Sequence, residues 1–337
     1  MVSAASPYFS VIVPTYNRAR MLCTALQTIQ YQTCQDWECF VVDDGSTDET
    51  AAALLRFASD RRFQIISSDE NHGMNPSRNL ALEKARGRFI TFLDSDDLWL
   101  PDRLQAFQRR AQASPESGFL FSNAYILRYG RIVGTLFHPD RDIPEGRVPG
   151  HYAIGDRRLP YVTTNVAIKR EAFELWGKFR TDMRTLDTEL FTRFLAQGLP
   201  VAAIKEPLSV RRLHDDQLTG HYSDNFSESL QAIAASGAPE ADRLSLRHQI
   251  ARETALYLIK AARPSQARTF LLEHLGPDAR MTPEWRLSMI PAPILEALRR
   301  LRGIYMRLRY HPRLIPAAHR GVLHAISPLL DAETRPG

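Results

Sequence analysis

A chain of 337 residues with 44% hydrophobic and 24% charged side chains has apolar material for a sizeable core, which excludes a disordered or fibrous protein. Its net charge of +5 is concentrated at one end: residues 285–324 carry eight arginines against the acid Glu296, so the main body is slightly acidic and no nucleic-acid partner is expected. No apolar run reaches the roughly 18 to 20 residues of a membrane span, and "MVSAASPYFSVIVP" lacks a basic segment ahead of a signal-type stretch; the chain is expected in the cytoplasm. Along the first 125 residues strand and helix signals alternate. "FSVIVPTY" is an apolar, β-branched run, "ARMLCTALQTIQYQ" has helical spacing, "WECFVVDDGS" is strand then turn, and "TDETAAALLRFASD" reads as a capped helix. "RFQIISS", the helical "NPSRNLALEKARG" and "RFITFLDSDD" complete a βαβαβαβ order, which predicts a mostly parallel sheet with helices on both faces.

Residues 126–160 read as hairpins and loops, "PYVTTNVAIKREAFELWGKF" as a strand and a helix, and "TLDTELFTRFLAQGLPVAAI" as a helix with an acid at its start and Gly198 at its end. "VRRLHDDQLTGHY" closes this portion. "RLSLRHQIARETALYLIKAARPSQARTFLLEHLG" reads as two amphipathic helices broken around Pro264, followed by Arg-rich pieces interrupted by Pro291, Pro293, Pro312 and Pro316. The boundaries expected are 1–226 for a catalytic domain, with nucleotide binding in 1–125 and an acceptor side in 126–226, and 227–337 for a helical extension. Cys23, Cys34 and Cys39 match neither an even disulfide set nor a paired metal motif and read as small buried side chains in a reducing compartment.

Polar clusters fall at the carboxyl ends of three strands, where ligands bind in such sheets: "PTYNR", "DDGSTD" and "DSDD". Neither GxGxxG nor GxxxxGK[ST] is present, so any phosphate needs another clamp. Asp94, Asp96 and Asp97 close together after a buried strand repel one another unless a cation neutralises them. An Asp-x-Asp can grip a divalent cation, Mn²⁺ or Mg²⁺, whose remaining partners would be the oxygens of a nucleotide diphosphate. The plainer alternative makes Asp94 a helix N-cap and Asp96 and Asp97 solvated acids of a first turn ahead of Pro101.

"FSVIVPTYNR", "FVVDDGSTDET", "NHGMNPSRNLALEKARGRFITFLDSDD" and "LDTELFTRFLAQG" together resemble, in order and separation, the motifs of inverting GT-A glycosyltransferases of family 2, over about residues 9–220. The resemblance implies an α/β, Rossmann-like GT-A fold with a helical C-terminal extension, and transfer of a sugar from a nucleotide diphosphate sugar, most often UDP-linked, to a hydroxyl acceptor such as a glycan or lipid-linked glycan. It implies a nucleoside loop at Pro14, Thr15 and Tyr16, a base-reading carboxylate at Asp44 with Asp43 beside it, and Arg78 near the diphosphate. Asp94, Ser95 and Asp96 correspond to the ribose and metal segment, and His214 to a histidine near the metal and diphosphate. Asp187 corresponds to the general base that deprotonates the acceptor; Leu186 stands where the family often has Glu, and Glu189 is either a second acid beside the base or a solvent-facing side chain. Two other readings stay open: a sugar-nucleotide-binding scaffold without activity, and nucleotidyl transfer, although "PTYNRARM" lacks the basic Gly-rich loop usual for the latter. The tail "EALRRLRGIYMRLRYHPRLIPAAHRGVLHAI" suits either a basic amphipathic helix lying peripherally on the inner face of a membrane, or a stripe packed on the catalytic domain or a second subunit in a homo-oligomer.

Overall fold

The computed structural model describes residues 6–128, 131–154, 158–183, 187–213 and 222–309. Strand β1 (Phe9–Thr15) is followed by α1 (Ala19–Gln30), β2 (Trp37–Asp44), α2 (Thr50–Leu54), β3 (Phe63–Ser68), α3 (Met74–Lys84) and β4 (Phe89–Phe92). β1 and β2 are buried throughout, and their alternation feeds two cores. Phe9, Val11, Val13, Cys39 and Val41 join Leu22 and Leu26 of α1 on one face, whereas Ile12, Phe40 and Val42 join Phe92, Phe119 and Phe191 on the other. A continuous apolar strand is therefore the signature of a sheet covered on both sides.

The remaining elements are β5 (Leu98–Trp99), α4 (Arg103–Ala113), β6 (Phe119–Arg128), β7 (Arg131–Thr135), β8 (Val166–Lys169), α5 (Arg170–Trp176), α6 (Thr188–Ala196) and β9 (Val201–Leu213). Helices α7 (Tyr222–Ala235), α8 (Glu240–Lys260), α9 (Pro264–Leu275), α10 (Pro283–Ser288) and α11 (Ala292–Arg309) follow. The sheet runs β3-β2-β1-β4-β8-β6-β9-β5, with β7 paired to β6. The parallel arrangement expected of the first four strands holds for β3-β2-β1-β4, and from β8 onward the sheet is mixed, with β6 and β9 parallel and β8 antiparallel to both its neighbours. In the parallel half the register sets Thr15 beside Asp43 and Asp44 beside Ser68, so the carboxyl ends of β1, β2 and β4 share one edge.

Two local expectations change. The helix in "TDETAAALLRFASD" lasts five residues and closes as a 3-10 turn, Leu55–Phe57, and the residue before it, Glu49, makes no capping bond. Asp48 instead accepts from the Thr50 N–H at 2.9 Å and from Ala19 N–H at 3.3 Å, which ties the helix start to the β1 loop. Pro293 falls in the first turn of α11, where a proline's missing N–H costs no helical bond, rather than interrupting it. Position 226 lies inside α7, and Phe226 packs with Ile154, Ile233 and Ile250, so apolar contact continues across it. Pro264 starts α9 as read from the sequence, and none of the three cysteines forms a disulfide.

Candidate active site

The loops after β1 and β2 are sewn together by Asn17, which adopts left-handed backbone geometry (φ 51°), a conformation asparagine tolerates better than most residues. Its side-chain oxygen accepts from the N–H groups of Thr47 at 2.8 Å and Asp48 at 3.3 Å, and its own N–H donates to Ser46 Oγ at 2.8 Å. Asp43 Oδ1 accepts from Ser46 N–H at 3.1 Å. Gly45 has φ 76°, and a Cβ there would stand 2.6 Å from the Glu70 carbonyl carbon, so this turn admits only glycine. Pro14 and Thr15 are buried and Tyr16 is 44% exposed at the same edge.

Asp44 is buried and already occupied: its two oxygens accept from His72 N–H at 3.1 Å and Gly73 N–H at 2.7 Å, the residues that open α3. Asp44→Ala is therefore expected to weaken nucleotide binding with or without metal and also to lower the melting temperature, because each N–H left unpaired costs about 1 to 3 kcal/mol. Nucleotide titration and thermal denaturation of the variant check the two effects separately.

At the end of β4 the chain turns so that Asp97 N–H donates to Asp94 O at 2.9 Å. Asp97 is buried, and its Oδ1 accepts from Arg212 N–H at 2.9 Å, so it joins this turn to β9. The N-cap alternative fails here, because α4 begins only at Arg103, after β5, with Asp102 before it. Asp94 and Asp96 are half-buried and Ser95 between them is buried. Arg78, expected near the diphosphate, lies 2% exposed on α3 with Nη2 3.2 Å from Asp94 Oδ1 and its guanidinium against the rings of Phe92 and Phe179. Burial pushes the Asp94 carboxyl up to about 6; Arg78 opposes this, the charges of Asp96 and Asp187 reinforce it, and Arg211 opposes it. Burial likewise lifts Asp97 well above the usual carboxylate range.

Asp187 precedes α6 but makes no capping bond. Its Oδ2 accepts a hydrogen bond from Thr163 Oγ1, and burial raises its carboxyl above the usual range against the pull of Arg78 and Arg211. Asp94, Asp96, Asp187, Arg78 and Arg211 thus belong to one electrostatic cluster. Glu189 is not at the surface: it is 4% exposed and pairs with Arg193, Nε to Oε1 at 2.8 Å and Nη2 to Oε2 at 3.2 Å. That pair leaves Glu189 an anchor for α6, since Arg193 also donates to the carbonyls of Trp176 and Lys178.

Asn17, Thr163 and Arg211 escaped the sequence reading. Asn17 had a signal, an Asn directly after a strand end; Arg211 stands three residues before His214 in "VRRLH"; Thr163 had none, because its partner is 24 residues away. His214 and Leu186 lie outside the described residues. Among the described residues no three His, Cys, Asp or Glu side chains are grouped so as to hold a metal ion by themselves. The donor set nevertheless fits a hard divalent cation that takes only one or two carboxylates and completes its shell with phosphate oxygens and water, and the repulsion from Asp96 and Asp187 that adds to the effect of burial on Asp94 is what such a cation would relieve.

Known proteins place this geometry. The family described as "Glycosyl transferase family 2" matches residues 10–176. The chain is 32% identical over 173 residues to the UDP-Glc:alpha-D-GlcNAc-diphosphoundecaprenol beta-1,3-glucosyltransferase WfgD of Escherichia coli, covering 50% of this chain and 67% of that protein. It is 40% identical over 100 residues to a putative teichuronic acid biosynthesis glycosyltransferase, TuaG, of Bacillus subtilis, covering 29% of this chain and 40% of that one. Among solved structures, S. aureus TarS 1–349 in complex with UDP-GlcNAc superposes with a TM-score of 0.56 at 17% identity, covering 96% of this chain and 89% of that chain. The mannosyltransferase PcManGT from Pyrobaculum calidifontis, in complex with GDP-Man and Mn²⁺, gives 0.54 at 22% identity, covering 98% and 86%. At these identities the two structures establish the GT-A fold with its helical C-terminal part.

Proposed function

The chain belongs to glycosyltransferase family 2, and on that premise we propose that it transfers a sugar, with inversion, from a UDP-linked donor to a hydroxyl of a lipid-linked glycan in polysaccharide biosynthesis at the cytoplasmic face of a membrane. The observation that carries the reading is the meeting, at one sheet edge, of the Asp94–Asp96 pair with Asp187 and two arginines. WfgD, with its UDP-glucose donor and diphosphoundecaprenol-linked acceptor, supports the donor and acceptor classes. The intact acids weigh against a binding scaffold, and family membership weighs against nucleotidyl transfer.

Pro14, Thr15 and Tyr16 would flank the nucleoside, Asp43 and Asp44 would face its base, and Ser95 and Asp94 the ribose. Asp94 and Asp96, with His214, would hold Mn²⁺ or Mg²⁺; when bound, the ion supplies positive charge to the leaving diphosphate. Arg78 holds Asp94 from beneath, so its contribution to the diphosphate is exerted through that carboxylate and through its charge. Inversion requires the acceptor oxygen to attack from the side opposite the diphosphate, and Asp187 would take the proton as that oxygen bonds to the anomeric carbon. Thermal-shift measurement against UDP-, GDP- and dTDP-sugars with Mn²⁺ tests the donor class: stabilisation by UDP-sugars is expected, and stabilisation by GDP-sugars alone would reassign it.

The membrane part of the proposal rests on α11. Leu295 packs towards α8 and α9, while Ile294, Leu298 and Leu301 are 52%, 50% and 61% exposed on a helix that also exposes Arg299 and Arg300, both paired with Glu296. Among the described residues no helix is long and apolar enough to cross a membrane. Such a helix favours an interface carrying anionic headgroups. The full chain is expected to co-sediment with phosphatidylglycerol-containing vesicles at low salt and to be released as salt rises; failure to bind at low salt would assign the exposed stripe to a second subunit.

A further inference from the structure

The base, if it is Asp187, stands between two attractions. The positive charges of Arg78 and Arg211 attract its carboxylate. Thr163 holds it by a hydrogen bond. Among the described residues its hydroxyl is the one side chain that hydrogen-bonds the Asp187 carboxylate, and it does so from a different part of the fold, the 3-10 turn Thr163–Asn165 that leads into β8.

That turn is held with unusual care for three residues of irregular backbone. Asn165 Oδ1 accepts from Val162 N–H at 2.9 Å, and Asn165 Nδ2 donates to Ser122 O on β6. The Thr164 carbonyl accepts from Trp99 Nε1 at 3.0 Å and from Arg103 Nη2 at 3.2 Å, and the Val166 carbonyl accepts from Thr91 Oγ1 at 2.6 Å and Arg103 Nη2 at 3.2 Å. Arg103 is wholly buried, stacked 3.8 Å from the Trp99 ring and 4.4 Å from Phe107, with no acid paired to it among the described residues. A buried cation without a counter-charge is costly. Its hydrogen bonds go to the carbonyls on either side of Asn165 and to Thr91 Oγ1 of β4, which itself donates to the Val166 carbonyl, so Arg103 fixes the turn that carries Thr163 against β4.

We infer that Thr163 is a positioning residue for the sugar transfer: its hydroxyl, set by the Trp99–Arg103 clamp on the turn, holds the Asp187 carboxylate in the orientation that meets the acceptor. The inference rests on the reading of Asp187 as the base. Thr163 is half-buried and nearly isosteric with valine, so Thr163→Val removes the hydroxyl with little change of volume.

The test uses the full chain and the member of a UDP-, GDP- and dTDP-sugar panel that the wild-type protein turns over fastest. Thr163→Val is expected to lower kcat about 10- to 100-fold, the scale set by a misplaced catalytic group, with an unchanged donor KM. Thr163→Ser, which keeps the donor, should restore kcat to near wild type. In the double variant with Asp187→Asn the valine should add no further loss, because once the base is gone there is no proton acceptor left for Thr163 to orient. A crystal structure of Thr163→Val supplies a readout free of turnover: the Asp187 carboxylate should be rotated toward Arg78 or Arg211. Wild-type kcat in Thr163→Val alongside a slow Asp187→Asn, or an unmoved carboxylate, overturns the inference while sparing the base. Wild-type kcat in Asp187→Asn overturns the assignment of the base itself.

Discussion

Asp187→Asn is expected to keep donor affinity and to lower the transfer rate by about 10² to 10⁴, the range that a positioned general base supplies. Asparagine preserves the shape of the side chain and can still accept from Thr163 Oγ1, so the loss isolates the missing proton acceptor. The pH dependence follows from the same group. Burial raises the Asp187 carboxyl above the usual range, and only its ionised form can take a proton. Activity should therefore fall as pH falls, on a limb displaced upward from the ordinary carboxylate value of about 4, and that limb should vanish from the residual rate of the asparagine variant. The folding sign agrees: a carboxyl raised in the folded state makes its contribution to stability at low pH and loses it as pH rises through the raised value. Donor binding lost in step with rate would move Asp187 to nucleotide recognition.

Asp96→Ala is expected to abolish transfer and to weaken Mn²⁺-dependent nucleotide binding while the fold persists. Persistence is expected because Asp96 is half-buried, whereas its neighbour Asp97 carries the structural bond to Arg212 N–H at 2.9 Å. Burial, the main cause of the raised Asp94 carboxyl, stays in this variant, but the repulsion from Asp96 that adds to it is lost, so the Asp94 titration should move down. Calorimetric titration with UDP in the presence of Mn²⁺ and of EDTA measures the loss; turnover at the wild-type rate would remove the metal from the account.

The parallel half of the fold was legible because β1 and β2 are buried on both faces, and a strand in that situation reads as a near-continuous apolar run without helical spacing. The candidate site was legible at the strand ends for a related reason: Asp43, Asp44, Asp94 and Asp96 stand at or just after the ends of apolar runs, and the register puts those strand ends on one sheet edge without knowledge of any loop. What escaped depends on contacts distant in the chain. Asp94 and Arg78 are 16 residues apart on different elements, and their pairing gives the arginine expected near the diphosphate a carboxylate partner that the sequence did not show. Glu189 was misjudged although Arg193 stands four positions on, because i,i+4 spacing marks a pair equally well on an exposed and a buried face. The start of α2 depends on Asp48, whose oxygens serve Thr50 and Ala19 at once, a choice that only the approach of the two loops explains.

The central claim is that the edge shared by β1, β2 and β4 binds a nucleotide diphosphate sugar with a divalent cation and gives up the sugar. Release of the nucleoside diphosphate from a panel of UDP-, GDP- and dTDP-sugars, assayed on the full chain with Mn²⁺ and with EDTA, tests it most directly. The account predicts release of UDP from at least one UDP-sugar, faster when a lipid-linked glycan acceptor is added and suppressed by EDTA. Release unaffected by EDTA, or no release from any sugar of the panel with acceptor and metal present, would contradict it.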